Sequence, residues 1–260
     1  MAGPVTVFLF GTLRHPPLLE IVAGRPVKTA PAELPGWQVH GVADQVFPVL
    51  VEADGEVAAG EALDAEPEVL DRLVHYEDAF GYSLRDVTLR IDGSERPGKV
   101  FVPGRSEWEP LGSWSLADWV DAAAERSMIA AREVMSYLGR FSGSALQFRR
   151  GQIEARAEQR VRAARMPRPV VGWDCPADEV ELIDVQADHA GYFRAETLRL
   201  RHPTFAGGRS EEITREVFVA ADAAIVLPYD PVVLREAIMR EHYRGGQVFF
   251  IHNRVNDLMQ

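Results

Sequence analysis

Hydrophobic and polar positions along the chain follow two periods, one typical of strands and one typical of helices. Residues 7–13 (VFLFGTL) form an apolar run that breaks into Gly-Thr at its carboxyl end, which predicts a strand followed by a turn. Residues 84–91 alternate apolar and polar side chains, as in a strand with one buried face. Further short strands are predicted at 36–39, 47–51, 57–60 and 99–102. Together these segments predict a small barrel-like sheet.

A short amphipathic helix leads to the acidic residue that we single out as the candidate catalytic group. The helix is predicted to begin at Pro67, and its apolar face consists of Leu70, Leu73 and Val74. Glu77 follows where the helix runs into the core, bracketed by aromatic residues. Desolvation there would raise the pKa of the carboxyl group, which suits a general base. The alternative is a solvated glutamate at a helix end.

Two longer helices are predicted in the middle of the chain. Ser115 caps the first, with Asp118 as its capping-box partner, and Gly139 ends it. The second, over residues 146–165, carries six arginines. These arginines fit either a patch for a phosphate ligand or a solvated face with ion pairs, and Glu154 and Glu158 favour the solvated face.

The prolines in residues 166–169 predict a domain boundary, because neither lets a helix continue. Beyond them, strands are predicted at 180–185, 192–201 and 216–227. We therefore expect four segments, namely a first domain over 1–140, a helical linker over 141–169, a second domain over 170–230, and a tail over 231–260.

Composition excludes several classes of protein. With 47% hydrophobic and 26% charged residues among 260, the chain has the makeup of a globular protein with room for two domains. A net charge of -11 disfavours nonspecific binding to nucleic acid or anionic lipid. The single Cys175 excludes an intrachain disulfide and a cysteine-cluster metal site. No secretory apolar region or membrane-length run occurs, so we expect a cytoplasmic protein.

The FGTL turn after the first strand and the later Glu77 together resemble the gamma-glutamylcyclotransferase-like family, which has a Y-G-[ST] turn and a glutamate base. The match is closest to the N-terminal half of tellurite-resistance-type ADP-ribose pyrophosphatases, which join such a domain to a Nudix domain. It extends over residues 7–229. The resemblance implies an α+β fold, with a small mixed β-barrel and helices followed by an incomplete Nudix-like β-rich domain.

The resemblance also implies roles for individual residues. Glu77 would be the general base, and the backbone of Gly11, Thr12 and Leu13 would hold the substrate. Phe10 stands where the family has tyrosine, so one hydroxyl is missing from the substrate-binding turn. Tyr82 is a candidate for orienting Glu77 or the substrate. The reaction needs no cofactor and no metal.

The second half of the resemblance stops before the expected metal-binding motif. After Asp230 the family would continue to a glutamate-rich Nudix box that holds Mg²⁺, and this chain has none. Residues 231–260 are instead similar to a helicase segment of transcription-repair coupling factors, without the phosphate loop that helicase activity requires. A native tail and a chimeric or frameshifted join at residues 230–232 both remain open.

Three interpretations of function follow. The first is an enzyme that forms 5-oxoproline from a small gamma-glutamyl amine, with no nucleic-acid or membrane partner. The second is a truncated ADP-ribose pyrophosphatase, which the missing Nudix box disfavours. The third is a noncatalytic module that keeps the cyclotransferase fold for binding or homodimerisation, since a fold alone does not fix a function.

Overall fold

The computed structural model describes residues 3–104, 108–165, 179–191, 193–204, 206–220, 235–236, 238–240 and 243. The chain divides into two compact units, Met1–Ala164 and Arg165–Gln260. Residues 141–164, which the sequence analysis assigned to a linker, pack within the first unit. The predicted domain limits otherwise stay predictions.

The described part of the first unit combines five strands with five α-helices. Its strands are β1 (Val5–Leu9), β2 (Ala30–His40), β3 (Val49–Ala65), β4 (Tyr82–Ile91) and β5 (Ser94–Pro103). Its helices are α1 (Pro16–Ala23), α2 (Pro67–Asp78), α3 (Leu116–Met135), α4 (Gly143–Gln147) and α5 (Arg150–Ala164). A single 3-10 turn, Thr12–Arg14, joins β1 to α1.

The five strands close into a barrel in the order β1-β3-β2-β4-β5. β1 runs antiparallel to β3 and parallel to β5, so Val7 lies beside both Leu63 and Lys99. The side chains of Val7, Phe8 and Leu9 are buried, which explains why the second half of this strand is an apolar run. The predicted α+β class with a small mixed barrel is confirmed.

Strand β3 corrects one detail of the sequence analysis. Residues 47–51 and 57–60 were predicted as separate strands, but a single strand of 17 residues spans most of both. The pairing of β2 with β3 shifts register between Pro35 and Trp37, and Gly36 and Gly55 take positive φ angles there. The turn-forming residues thus create a bulge within a continuous strand pair.

Helix α2 also differs from its predicted face. Val69, Leu73 and Tyr76 form one buried stripe, and His75 beside them is buried as well. Val74, by contrast, is exposed. The buried face of α2 is therefore rotated relative to the predicted face. Glu77 lies next to this buried face and lines the cavity described below.

Helix α3 begins as predicted, with the Asp118 backbone N–H donating to Ser115 Oγ over 3.3 Å. It ends at Met135 and not at Gly139, because the next residues form tighter turns in which Tyr137 N–H donates to the Val134 carbonyl. The predicted helix over 146–165 is two helices, α4 and α5.

A buried ion pair joins α5 to α3. Arg156 Nη2 lies 2.5 Å from Glu133 Oε1, and Arg156 Nε donates to both oxygens of the same carboxylate. Tyr137 Oη donates to Glu133 Oε1 over 3.2 Å. Both charged side chains are almost fully buried, so the pair fixes which face of α5 turns inward.

The second unit contains an antiparallel sheet, β6 (Glu181–Ala190), β7 (Arg194–Arg201) and β8 (Ile213–Val219), in that order. β8 begins before the predicted strand over 216–227, and residues 221–227 lie outside the described part of the chain. The Nudix-like assignment of this unit remains a prediction. Most of the predicted tail over residues 231–260 also lies outside the described residues.

Candidate active site

A cavity of about 440 Å³ opens in the first unit. It is walled by the end of β1 and the following turn, by a loop over residues 44–48, and by α2, α3 and α5. All six residues predicted for the site line it, namely Phe10, Gly11, Thr12, Leu13, Glu77 and Tyr82. The structure therefore brings together two stretches that are far apart in the sequence.

The turn after β1 presents its backbone to the cavity. Its own hydrogen bonds use Arg14 N–H, which donates to the Gly11 carbonyl, and His15 N–H, which donates to the Thr12 carbonyl. Among the described residues, no acceptor receives the N–H groups of Gly11, Thr12 or Leu13. Such free donors can bind a carboxylate or a developing oxyanion.

A close packing contact, and not a left-handed backbone, explains why position 11 is glycine. Its φ is -116°, so a positive φ is not the constraint. A Cβ atom at this position would lie 2.8 Å from Pro48 Cγ. Glycine is required here because the loop over residues 44–48 packs directly against the turn.

Glu77 is half-buried in the last turn of α2 and borders the cavity. No hydrogen bond or ion pair to its carboxylate is found among the described residues. Burial without a compensating cation raises the pKa of Glu77 from 4.5 to about 8. An isolated carboxyl group with a near-neutral pKa can both accept and return a proton.

Aromatic side chains surround this carboxylate. Tyr76 and Phe80 lie with ring centroids 5.0 Å apart. Burial raises the pKa of both Tyr76 and Tyr82, and the charge of Glu77 raises each further. Tyr82 Oη donates to the Pro48 carbonyl over 3.2 Å, so this hydroxyl fastens the 44–48 loop. The role of Tyr82 in orienting Glu77 or the substrate stays a prediction.

The sequence analysis missed the charged residues on the wall formed by α3 and α5. Arg150, Glu154 and Glu158 recur every four residues along α5 and line the cavity, as does Arg126 of α3. Arg150 Nε lies 2.7 Å from Glu154 Oε1, and Arg126 Nη1 lies 3.1 Å from Glu158 Oε2. The i to i+4 pair between Arg150 and Glu154 does form, whereas Glu158 pairs with Arg126 of the neighbouring helix, and all four residues line the cavity. The four-residue spacing was the available signal.

Two kinds of feature are absent from the described residues. In those ranges, no three side chains of His, Cys, Asp or Glu lie together in a way that could hold a metal ion. Likewise, none of the helices in the described parts of the chain has the length and apolar character needed to cross a membrane.

Comparison with known proteins finds partial matches. The ADP-ribose pyrophosphatase of Escherichia coli K12 is 40% identical over 55 residues, which are 21% of this chain and 26% of that protein. The transcription-repair-coupling factor of Rickettsia bellii is 52% identical over 33 residues, 13% of this chain and 3% of that protein. The chain thus spans a small part of each relative.

Among solved structures, an AIG2-like protein from Mus musculus is 16% identical, with a TM-score of 0.35, over 44% of this chain and 90% of that one. Residues 7–120 match the family model described as gamma-glutamyl cyclotransferase, AIG2-like. This match includes the turn after β1 and all of α2 with Glu77. The resemblance found in the sequence is therefore confirmed, and residues 7–120 carry the pattern of the AIG2-like gamma-glutamyl cyclotransferases, which supports a cyclotransferase-like function.

Proposed function

We propose that this protein cyclises a gamma-glutamyl amine to 5-oxoproline and the free amine, with Glu77 as the general base. One observation carries the proposal. The Glu77 carboxyl, whose pKa is raised to about 8, borders the same cavity as a turn with unpaired backbone N–H groups. A proton acceptor and an anion-binding turn are the two elements that this reaction needs.

The reaction joins two groups of one substrate. The α-amine nitrogen bonds to the side-chain carbonyl carbon, and the bond from that carbon to the leaving nitrogen breaks. The α-nitrogen loses two protons as it changes from an ammonium to the ring amide. Glu77 accepts the first before the attack and gives it to the leaving nitrogen. The second leaves the ring nitrogen after the attack and follows the same route, so the amine departs as an ammonium and protons balance. Five-membered ring closure is favoured when the turn holds the substrate folded on itself.

The raised pKa of Glu77 matters for the first proton transfer. An α-ammonium has a pKa of about 7.7 to 8.0 and an ordinary glutamate about 4.3, so transfer to an unperturbed carboxylate costs about 5 kcal/mol. With the pKa of Glu77 at about 8, most of this cost disappears. At neutral pH the free site then holds a mainly protonated Glu77, and activity rises as the pH approaches 8.

The turn after β1 would stabilise negative charge. The N–H groups of Gly11, Thr12 and Leu13 would donate to the substrate carboxylate or to the oxygen of the tetrahedral intermediate. Phe10 contributes a ring without a hydroxyl, so substrate orientation depends more on these backbone donors and on the aromatic side chains around Glu77.

A product screen tests the proposal directly. Purified protein is incubated with several gamma-glutamyl amines, and 5-oxoproline is measured by chromatography and mass spectrometry. The matched control is the N-acetyl form of each substrate, whose blocked amine cannot attack. We expect 5-oxoproline from the free amines alone. Amine release at equal rates from both forms would indicate hydrolysis and overturn the cyclisation.

A second function is favoured by the 55-residue match to an ADP-ribose pyrophosphatase. That activity requires Mg²⁺ held by clustered carboxylates, and the sequence lacks the corresponding box. Mg²⁺-dependent release of AMP from ADP-ribose would support it. If neither activity is found while gamma-glutamyl compounds still bind, the noncatalytic binding module becomes the better interpretation.

A further inference from the structure

Arg150, the first residue of α5, lies among three aromatic rings at the cavity wall. Its guanidinium carbon is 5.0 Å from the ring centroids of Phe47 and Phe80, and 5.5 Å from that of Trp108. Phe47 and Phe80 themselves line the cavity. A guanidinium surrounded by aromatic faces is partly desolvated, and its orientation is fixed.

Two polar contacts hold the guanidinium group of Arg150. Its Nε donates to Glu154 Oε1 over 2.7 Å, and its Nη2 donates to Gln45 Oε1 over 3.2 Å. A guanidinium carries five N–H groups, so these contacts leave about three of them without an acceptor among the described residues. The side chain is only 20% exposed, so the remaining donors are confined to the neighbourhood of the cavity.

The charge of Arg150 reaches the part of the cavity that holds the candidate base. Arg150 lowers the pKa of Tyr76 and of Tyr82, against the larger raising effect of burial. Both tyrosines flank Glu77 in the sequence or in the cavity wall. Arg150 and Glu77 thus border the same cavity, so one bound substrate can contact both residues.

Helix α5 lies outside residues 7–120, the segment matched by the family model. The candidate base and the turn belong to the matched segment, whereas Arg150 lies outside it. Related enzymes that differ only in the leaving group are expected to share the catalytic residues and to differ in the residues that contact the leaving group.

We propose that Arg150 determines specificity by binding an anionic group, such as a carboxylate, on the amine half of the substrate. This inference rests on the proposed cyclotransferase function. Acidic residues on the same wall would repel an anionic group. Two of them, Glu154 and Glu158, are already paired with Arg150 and Arg126, which reduces this repulsion. The N–H groups of Arg150 that these contacts leave over are donors, and a carboxylate can accept two parallel N–H bonds from them.

The test compares two substrates that differ only in this charge, gamma-glutamylalanine and gamma-glutamylalaninamide. For the unaltered protein we expect kcat/KM to favour the acid by about 10- to 100-fold, the range for a hydrogen bond to a charged group. Arg150→Gln should abolish this preference by slowing the acid alone. Arg150→Lys, which keeps the charge but not the planar fork, should keep part of it.

Arg149→Gln is the matched control. Arg149 also stacks on a phenyl ring, that of Phe141 at 4.8 Å, but it does not line the cavity. Its loss should leave the substrate preference unchanged. Thermal melting of each variant verifies that the fold is retained, and Arg150→Lys carries the test if Arg150→Gln does not fold.

Calorimetric binding of the same two compounds separates this inference from the proposed function. Equal turnover of acid and amide, or a preference that survives both Arg150 variants, overturns the role of Arg150 while the cyclotransferase activity stands. If no 5-oxoproline forms but tighter binding of the acid depends on Arg150, the activity is wrong and the recognition stands. Absence of both turnover and binding overturns both.

Discussion

Gly11 and Pro48 approach each other so closely that a Cβ atom on Gly11 would lie 2.8 Å from Pro48 Cγ. This contact joins the turn after β1 to the 44–48 loop, whose Pro48 carbonyl also accepts the Tyr82 hydroxyl. The turn after β1 is therefore shaped by packing from a different segment of the chain, and a larger side chain at Gly11 would displace it.

We expect Gly11→Val to lower the free energy of unfolding by about 1 to 3 kcal/mol, the usual cost of overpacking. Substrate affinity should fall as well, because the N–H groups of the turn move with the loop. Gly151→Val is the control, since nothing lies within 4 Å of a Cβ at Gly151. Urea unfolding and substrate titration measure the two effects. Retained affinity in Gly11→Val would mean that the turn does not hold substrate.

The raised pKa of Glu77 predicts a pH-dependent effect on stability. The folded pKa of about 8 exceeds the unfolded value of 4.5, so the folded state binds more protons between these values and loses stability as the pH rises through them. At 1.36 kcal/mol per pKa unit, the difference between the two pKa values limits the loss of folding free energy to about 5 kcal/mol. Solvent in the cavity screens the carboxylate, so the loss should be smaller than this limit.

Glu77→Gln removes this titration. Relative to the unaltered protein, the variant should gain stability between pH 5 and pH 9, and the two should differ little at pH 4. Urea unfolding at these pH values measures the difference. A difference that is constant over the whole range would show that Glu77 titrates normally.

The buried pair of Arg156 and Glu133 should be sensitive to loss of one partner. Glu133→Ala leaves the guanidinium of Arg156 buried without its carboxylate, which costs about 3 to 5 kcal/mol. Glu158→Ala, which breaks the more exposed pair with Arg126, should cost less than about 1 kcal/mol. Chemical denaturation of both variants gives the comparison, and equal costs would show that burial does not govern the pair.

The first unit should fold without the second. A chain that ends at Arg165 keeps all five barrel strands and every residue of the cavity wall. We expect a cooperative thermal transition and retained activity. Residues 170–260 alone should be poorly soluble, because an incomplete sheet exposes strand edges. An unfolded 1–165 fragment together with a stable monomeric 170–260 fragment would contradict the division.

The sequence predicted the parts of the fold that local patterns control. The apolar run of β1, the Ser115 cap and the alternation in β4 each act within a few residues, and each is present in the structure. The continuity of β3 was missed because it depends on the register shift with β2, which only the pairing reveals.

The candidate site was predictable to the same extent. Glu77 and the turn after β1 were predicted because each lies at the end of a helix or strand that the local sequence pattern indicates. Arg150 was assigned to a solvated face because i to i+4 ion pairs look alike in either environment. What turns Arg150 toward the cavity is the burial of Arg156 against Glu133, a contact between residues far apart in the sequence.

The most direct test of the account is the rate of 5-oxoproline formation by Glu77→Gln. This change keeps the size and one oxygen of the side chain but removes its basicity, so we predict a loss of about 10² to 10⁴ in kcat with the fold intact. Glu68→Gln, an exposed position in the first turn of α2, is the control and should keep the full rate. A Glu77→Gln variant that forms 5-oxoproline as fast as the unaltered protein would contradict the assignment of Glu77 as the base.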